Sequence, residues 1–262
     1  MNIKSKLLLA LLATSSAAFA QTAPAAPEVP EVTYNVGVVS QYRYRGLAQT
    51  KGDAALQGGA DYANANGFYA GAWGSTIKWI KDAVPDTGKT APKGPVELDL
   101  YGGYKFEAAG IAYDVGYLRY EYVGNTYKDA AAANVNASTD EAYAAATYGP
   151  ATLKYSYAFS DLFGYSNSRG SSYVDLSATF DLGNGYSLVP HAGHQTVKHL
   201  STAANMSYTD IALTLNKDLG DGLSASVSSI ATNGKAATFQ QTSAAGYNTA
   251  KNALVVGVKY AF

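Results

Sequence analysis

The sequence predicts an all-β fold, a transmembrane antiparallel up-and-down β-barrel of about 12 strands with short periplasmic turns and long extracellular loops. Apolar residues recur at every second position in many segments, and short and long connections alternate between those segments. The composition agrees, because 22 Tyr and 26 Gly with only 15% charged residues differ from the makeup of an ordinary soluble enzyme. After the N-terminal segment, no stretch is continuously apolar over about 18 residues, which excludes a helical membrane protein.

The N-terminus has the pattern of a secretory signal peptide over residues 1–20. Basic residues precede an apolar run over residues 7–13, and Ala18 and Ala20 supply the small side chains that a signal peptidase requires. The apolar run is too short to cross a bilayer as a helix, which takes about 20 residues. We therefore predict export through the inner membrane, cleavage between Ala20 and Gln21, and location in the outer membrane of a Gram-negative bacterium.

Residues 21–31 form a leader rich in Pro and Ala, and the transmembrane β-barrel is predicted over residues 32–262. The chain has no Cys and a formal net charge of −1. It therefore needs no disulfide to fold and has no basic surface for nucleic acid. We expect no cofactor. The expected partners are outer-membrane lipid, the barrel-assembly machinery and small hydrophilic solutes, and nothing in the sequence specifies an oligomeric state.

The last predicted strand shows the period-two pattern most clearly. Its apolar face carries every second residue from Leu254 to Phe262, while Gly257 and Lys259 lie on the other face. An amphipathic helix would not produce this spacing. One segment, at residues 111–123, changes the phase of its pattern near Gly116. Twelve such segments are predicted, at residues 32–45, 54–62, 67–79, 96–106, 111–123, 139–148, 151–161, 171–181, 185–198, 205–218, 222–232 and 251–262.

The connections between these segments alternate in length. Bacterial barrels join their strands by short periplasmic turns and longer outer loops, and a soluble β-sandwich has no reason to do so. The tight links are rich in the residues that form hairpin turns. They lie near residues 64–66, 107–110, 149–150, 183–185 and 218–222. The longer polar connections include residues 81–95, 124–138 and 233–250.

The N-terminal part of the predicted barrel also carries a family resemblance. The relevant stretches are VVSQYRYRGLAQT at residues 38–50, ALQGGADY at 55–62, GFYAGAWGS at 67–75 and ELDLYGGY at 97–104. They resemble the N-terminal signature of the TorF-family porins, specifically over residues 36–104 and more loosely afterwards. The resemblance implies an outer-membrane barrel that acts as a channel, and it implies no particular substrate.

Four arginines occur in the chain, and two of them, Arg43 and Arg45, fall within the first predicted strand. Residues two apart on a strand share a face, and the apolar residues occupy the other face, so both arginines are expected in the lumen. There they would either bias a narrow pore toward anions or pair with Asp61, Asp99 or Glu121 and rigidify the wall. The full set of candidate pore-lining residues is Arg43, Arg45, Asp61, Glu97, Asp99, Lys105, Arg119, Glu121, Lys154 and Asp175.

Histidine and serine chemistry offer an alternative that the sequence does not support strongly. His191 and His194 have an H-x-x-H spacing, but residues three apart on a strand point to opposite faces, so we predict no metal site. A barrel wall can carry a Ser-His pair, as an outer-membrane lipase or protease would require. No G-x-S-x-G motif is present, and we assign no catalytic residue.

The predicted function is therefore a porin-like channel for passive diffusion of small hydrophilic solutes or ions, and not an enzyme. An anion preference would follow if Arg43 and Arg45 line the passage. The alternatives are the hydrolase and a structural or adhesive barrel. Eight strands leave room only for side chains and 16 to 18 leave an open channel, so about 12 predict a narrow pore. Phe262 and Tyr260 end the last strand, and this terminal aromatic pattern resembles the assembly signal of outer-membrane barrels.

Overall fold

The structure is a computed structural model that describes residues 31–83, 93–130, 134–200, 205–235, 239 and 247–262. The predicted signal peptide, its cleavage site at Ala20 and Gln21, and residues 21–30 of the leader lie outside the described residues. In chain order the strands are β1 (Glu31–Val39), β2 (Arg43–Tyr44), β3 (Leu47–Ala48), β4 (Ala55–Ala63), β5 (Phe68–Thr76), β6 (Val96–Ala108), β7 (Ile111–Tyr122), β8 (Thr139–Tyr148), β9 (Ala151–Ala158), β10 (Ser172–Ala178), β11 (Phe180–Gly183), β12 (Tyr186–Thr196), β13 (Tyr208–Gly220), β14 (Leu223–Thr232) and β15 (Ala253–Ala261). Two single-turn 3-10 helices span Lys81–Ala83 and Tyr127–Asp129. In these ranges, none of the helices has the length and apolar character needed to cross a bilayer.

All strands except β2 and β3 belong to one antiparallel sheet that closes on itself. β1 pairs with β4 on one side and with β15 on the other, while β12 pairs with both β10 and β13. The sheet has 13 strands, but β10 and β11 form one wall strand interrupted at Thr179, so the wall has twelve. The predicted antiparallel barrel is confirmed.

The connections of the wall strands segregate to the two ends of the barrel. The short links are residues 64–67, 109–110, 149–150, 184–185 and 221–222, and they define the short-turn end. Asn184 and Asp221 adopt left-handed backbone angles there, with φ of 52° and 51°, as tight hairpins require. The other end, which we call the long-loop end, carries six longer connections. This is the alternation that the sequence predicts.

The two faces of the wall differ in polarity, as lipid outside and a polar lumen inside require. Every second residue of β1 from Val32 to Val38 is 44% to 52% exposed, whereas Asn35 between them is 7% exposed. On β15, Leu254 and Val256 are likewise exposed while Val255 is buried. The apolar residues therefore form the outer surface of the barrel.

Tyrosines and glycines form complementary pairs on the inner face. A Cβ atom added at Gly71 would lie 2.5 Å from the ring of Tyr101, and one added at Gly116 would lie 2.5 Å from the ring of Tyr143. Each tyrosine ring therefore packs against a glycine of a neighbouring strand, a packing that compensates for the missing glycine side chain. This arrangement gives part of the abundant Tyr and Gly of the sequence a structural role.

Candidate functional site

The connection between β1 and β4 folds into the barrel. The first wall strand ends at Val39 and not near residue 45, so the predicted boundary is wrong by six residues. Beyond it, β2 and β3 pair as a small hairpin whose turn is Arg45-Gly46, with φ of 45° and 78°. Two consecutive positive φ angles are typical of a type I′ turn, which suits a tight hairpin. We call residues 42–50 the lumen hairpin.

Arg45, at the tip of the lumen hairpin, reaches the far wall of the barrel. Its Nη2 atom lies 2.7 Å from Oε2 of Glu141 on β8, and its Nη1 atom donates to Oε1 of the same carboxylate at 2.9 Å. Nη1 also donates to Oε1 of Gln195 on β12 at 2.9 Å. Strands β4, β5, β6 and β7 separate β1 from β8. This bidentate ion pair therefore joins the lumen hairpin to the opposite wall of the barrel.

Aromatic rings enclose the same guanidinium. The Cζ atom of Arg45 lies 4.9 Å from the ring centroid of Tyr44 and 4.3 Å from that of Tyr173. The Oη atom of Tyr44 donates to that of Tyr120 at 2.6 Å, and Tyr120 donates to Glu141 at 3.2 Å. The ion pair is thus buried within a connected polar network, which holds the hairpin in one position.

The tip of the hairpin fits closely against the wall. A Cβ atom added at Gly46 would lie 2.6 Å from Cγ2 of Thr232 and 2.7 Å from Cβ of Asp210. Both neighbours belong to wall strands, β14 and β13. Only glycine permits this approach, because it has no Cβ atom and readily adopts the positive φ found at this position.

Arg43 points away from Arg45 and ties the hairpin to the connection between β14 and β15. Its Nη1 atom donates to three carbonyl oxygens, of Gly46 at 3.1 Å, Thr249 at 3.0 Å and Lys251 at 2.7 Å. The expectation that Arg43 and Arg45 share one face of strand one is therefore wrong, because the turn redirects the second side chain. The acidic partner of Arg45 is also none of the three that the sequence suggested.

Buried carboxylates surround the hairpin. Tyr42 donates to Oε1 of Glu97 at 2.6 Å, and the Asp99 side chain is almost fully buried beside it. Within the described part of the chain, Oδ1 of Asp99 has no hydrogen-bond partner. Glu141 and Gln195 were missed as site residues at the sequence level. The available signal was their inward phase, since Glu141 shares a face with Tyr143 of the same predicted strand.

A second group of charged residues extends along the inner wall. Tyr101 donates to Asp61, and Tyr69 donates to Asp114 at 2.6 Å. Two lysines lie over aromatic rings. Lys105 Nζ is 5.1 Å from the ring centroid of Tyr69, and Lys154 Nζ is 3.9 Å from that of Tyr143. The candidate residues Asp61, Glu97, Asp99, Lys105, Lys154 and Asp175 all lie on the inner face.

Arg119 and Glu121, in contrast, lie on the outer face of β7. Their neighbours Leu118, Tyr120 and Tyr122 are buried inside, so alternation turns the two charged residues outward. Arg119 pairs with Glu121 at 2.7 Å and with Asp140 of β8 at 2.9 Å. The expectation that they face the lumen is corrected on this geometry. The apparent phase change near Gly116 is a change of polarity along one face, because the β6–β7 register is unbroken.

The histidines diverge as alternation requires. His191 lies inside, with Nε2 at 2.6 Å from Oδ2 of Asp175 and Nδ1 at 3.5 Å from Oδ2 of Asp210. His194 contacts Thr209 on the outer face. Across the described ranges, no group of three or more His, Asp or Glu could hold a metal ion. The partners of His191 are two carboxylates and the Tyr173 hydroxyl, and this arrangement contains no serine nucleophile.

Comparisons with known proteins agree with this architecture. A family model described as "Bacterial protein of unknown function (Gcw_chp)" matches residues 22–262. No curated protein matches the sequence. The KdgM porin, in complex with disordered oligogalacturonate, has a TM-score of 0.52 at 9% identity, covering 89% of this chain and 99% of that chain. The NanC porin has a TM-score of 0.54 at 10% identity, covering 88% and 99%. At these identities the similarity shows the fold.

Proposed function

Since the chain belongs to the Gcw_chp family of bacterial proteins, we propose from its geometry that it is a porin-like channel of the bacterial outer membrane, for passive diffusion of small hydrophilic solutes or ions. The observation that carries this proposal is the lumen hairpin. It enters a polar interior and is held there by an ion pair and hydrogen bonds to the far wall. These buried contacts fix the hairpin across the interior, so it suits a constriction of the lumen.

The wall supports the same conclusion. Twelve strands enclose more space than the eight that side chains alone fill, and less than the 16 to 18 of open porins. The inner face combines glycines with polar groups, and the outer face is apolar. The resemblance of residues 36–104 to the TorF-family porins points to the same activity. The predicted signal peptide supplies the export route.

Orientation follows from the two ends of the barrel. In bacterial outer-membrane barrels the short turns and both termini face the periplasm, and the longer loops face the medium. The long-loop end, where the lumen hairpin originates, would therefore form the outer mouth. The barrel-assembly machinery would recognise the terminal strand that ends at Tyr260 and Phe262.

Single-channel recording tests this proposal directly. The mature protein would be refolded, checked for heat-modifiable migration, and inserted into a planar bilayer in a salt solution. We expect discrete conductance steps smaller than those of open 16- to 18-stranded porins, in keeping with a constricted lumen. Folded protein that inserts into the bilayer and gives no conductance steps would contradict the proposal.

A further inference from the structure

A cavity of about 230 Å³ lies at the long-loop end, directly on the lumen hairpin. The hairpin provides part of its floor through Tyr44 and Leu47. Its remaining walls come from all the other long connections or the strand ends beside them. Because six separate segments converge on it, the cavity is a product of the folded barrel and not a groove within one loop.

The lining of this cavity is aromatic and carries no formal charge. In the part of the chain that the structure describes, eight of the 17 lining residues are Tyr, Trp or Phe, and none is Asp, Glu, Lys, Arg or His. Burial raises the pKa of Tyr127 and of Tyr165, so these phenols are neutral. The inner wall differs, since it carries several carboxylates and lysines. Among these described lining residues, a charged solute would find no counter-charge.

The aromatic walls are fixed by their own packing. Trp79 packs edge-on against Tyr122 with ring centroids 5.2 Å apart, and Tyr44 packs edge-on against Phe163 at 5.5 Å. Tilted and edge-on arrangements of this kind are the favourable ones for aromatic pairs. The rings are therefore preorganised, and little side-chain entropy is lost when a further ring packs against them.

Two of the polar side chains in the lining already have partners within the protein. Gln195 accepts from Arg45 and donates through Nε2 to the carbonyl oxygens of Ser172 and Thr196. Thr249 donates to the carbonyl oxygen of Phe239. Beyond the phenol hydroxyls of residues such as Tyr127 and Tyr165, a ligand with many hydroxyl groups would find few partners in this lining, and unmet hydrogen bonds cost free energy. A flat apolar ring with one or two polar substituents has no such cost.

We propose that this cavity is a binding site for a small uncharged aromatic solute, which it holds above the lumen hairpin. The volume is below the range of about 300–1,000 Å³ that is usual for drug-sized ligands, so a single ring is the fitting size. A role of this site in selecting solutes for uptake rests on the channel function proposed above. Binding itself can be measured without conduction.

Calorimetry with three probes tests the proposal on the refolded full barrel in lipid nanodiscs. Phenol is the aromatic probe, benzoate carries the same ring with a charge, and glucose is a neutral polyol. We expect saturable binding of phenol, affinity for benzoate lower by at least about tenfold because its charge lacks a partner, and no binding of glucose. Equal affinity for phenol and benzoate, or preferential binding of glucose, would overturn the assignment.

Matched variants distinguish phenol binding in the cavity from partition of phenol into the lipid. Phe163→Ala removes a ring from the cavity wall, and Phe159→Ala removes a ring from the lipid-facing surface close by in the chain. We expect the first to weaken phenol binding about tenfold, as loss of one ring contact would, and the second to leave it unchanged. Ala83→Trp should fill the cavity from another loop and abolish phenol binding. It provides an independent test if the Phe163→Ala variant folds poorly.

The outcomes distinguish this inference from the channel proposal. Phenol binding that is unaffected by Ala83→Trp would place phenol in the lipid and overturn the inference, whatever the conductance. Saturable phenol binding in a barrel that shows no conductance would support the site and contradict the channel. Conductance steps in a barrel that does not bind phenol would support the channel and contradict the proposed site.

Discussion

Arg45 is the residue on which the closure of the lumen depends most directly. Its side chain is 5% exposed and that of Glu141 is 2% exposed, so the ion pair lies outside bulk water. Burial of two charges costs solvation free energy. The pair is maintained because both Nη atoms of the guanidinium donate hydrogen bonds to the carboxylate. Removal of one member leaves the other charge buried and unpaired. The single-residue changes are therefore expected to have large effects.

Replacement Arg45→Ala should both destabilise the barrel and widen its passage. We expect the free energy of unfolding to fall by about 3–5 kcal/mol, the usual cost of breaking a buried pair. Single-channel conductance should rise because the hairpin loses its anchor on the far wall. Adding Glu141→Gln should restore part of the stability, since the double variant has no uncompensated charge. Unfolding curves and conductance together measure this.

Arg119→Ala provides the matched control. Its side chain is 38% exposed and its partners lie on the outer face. An exposed pair contributes only about 0–1 kcal/mol, and we expect unchanged conductance. An effect as large as that of Arg45→Ala would show that burial in the lumen is not the reason for the first result.

The anion preference expected from Arg43 and Arg45 has a weaker basis in the structure than in the sequence. Both guanidinium groups are engaged, Arg43 by carbonyl oxygens and Arg45 by a carboxylate. For the double change to Ala we expect a lower unfolding temperature, a larger conductance and a nearly unchanged reversal potential in a salt gradient. A marked shift toward cations at low ionic strength, with normal folding, would instead support the anion-selective pore.

Gly46→Ala tests the close fit of the hairpin tip. The new Cβ atom would overlap Thr232 and Asp210, so the hairpin has to withdraw from the wall. We expect increased conductance, similar to that of Arg45→Ala. Gly124→Ala is the control, since Gly124 has a φ of +65° but nothing within 4 Å of the added atom. The Gly124→Ala variant should be slightly destabilised and should conduct as the wild type does. Equal conductance of the Gly46→Ala and Gly124→Ala variants would contradict the close fit of the hairpin tip.

Among the elements, β15 closes the barrel by pairing with β1. Tyr34 and Phe262 exchange two backbone hydrogen bonds, of 2.8 Å and 2.9 Å, and their rings stack at 5.8 Å. Phe262 also stacks on Tyr260 at 5.6 Å. The last residue therefore completes the seam between the first and last strands.

Deletion of Phe262 should reduce assembly of the barrel. The seam would lose two backbone hydrogen bonds and an aromatic contact, and the terminal aromatic residue of the proposed assembly signal would be absent. The measurement is the yield of heat-modifiable protein in the outer-membrane fraction. Tyr148→Ser, which removes an exposed aromatic residue at the short-turn end, is the control. Equal yields for the deletion and the control would contradict this role.

For the whole molecule, the sequence predicts that export precedes folding into the membrane. The signal-peptide prediction concerns residues outside the described ranges, and it stays a prediction. Mass spectrometry of the protein extracted from outer membranes should find a chain that begins at Gln21, because Ala18 and Ala20 fit the peptidase. An intact N-terminal Met1 on the membrane-inserted protein would rule this cleavage out.

Period-two alternation is a local property, and it was sufficient to predict the wall. Most strands show their lipid-facing side in their own residues, as in Val32 to Val38, because the membrane favours an apolar outer face. The twelve segments followed from this, and the alternation of short and long connections, read from turn residues and loop lengths, supported them independently. The reversal of Arg119 and Glu121 shows the limit of the method, since a polar residue can also lie outside where a strand approaches the end of the barrel.

The contents of the lumen, in contrast, were decided only by the tertiary structure. Arg45 and Glu141 are 96 residues apart in the chain, and Arg45 and Gln195 are 150 apart. The sequence placed Arg43 and Arg45 in the lumen by extending strand one, whereas they reach it through a hairpin turn. Which carboxylate lies opposite an inward loop depends on the closure and register of the whole barrel. No local pattern contains that information, because the contact exists only when the far wall is in place.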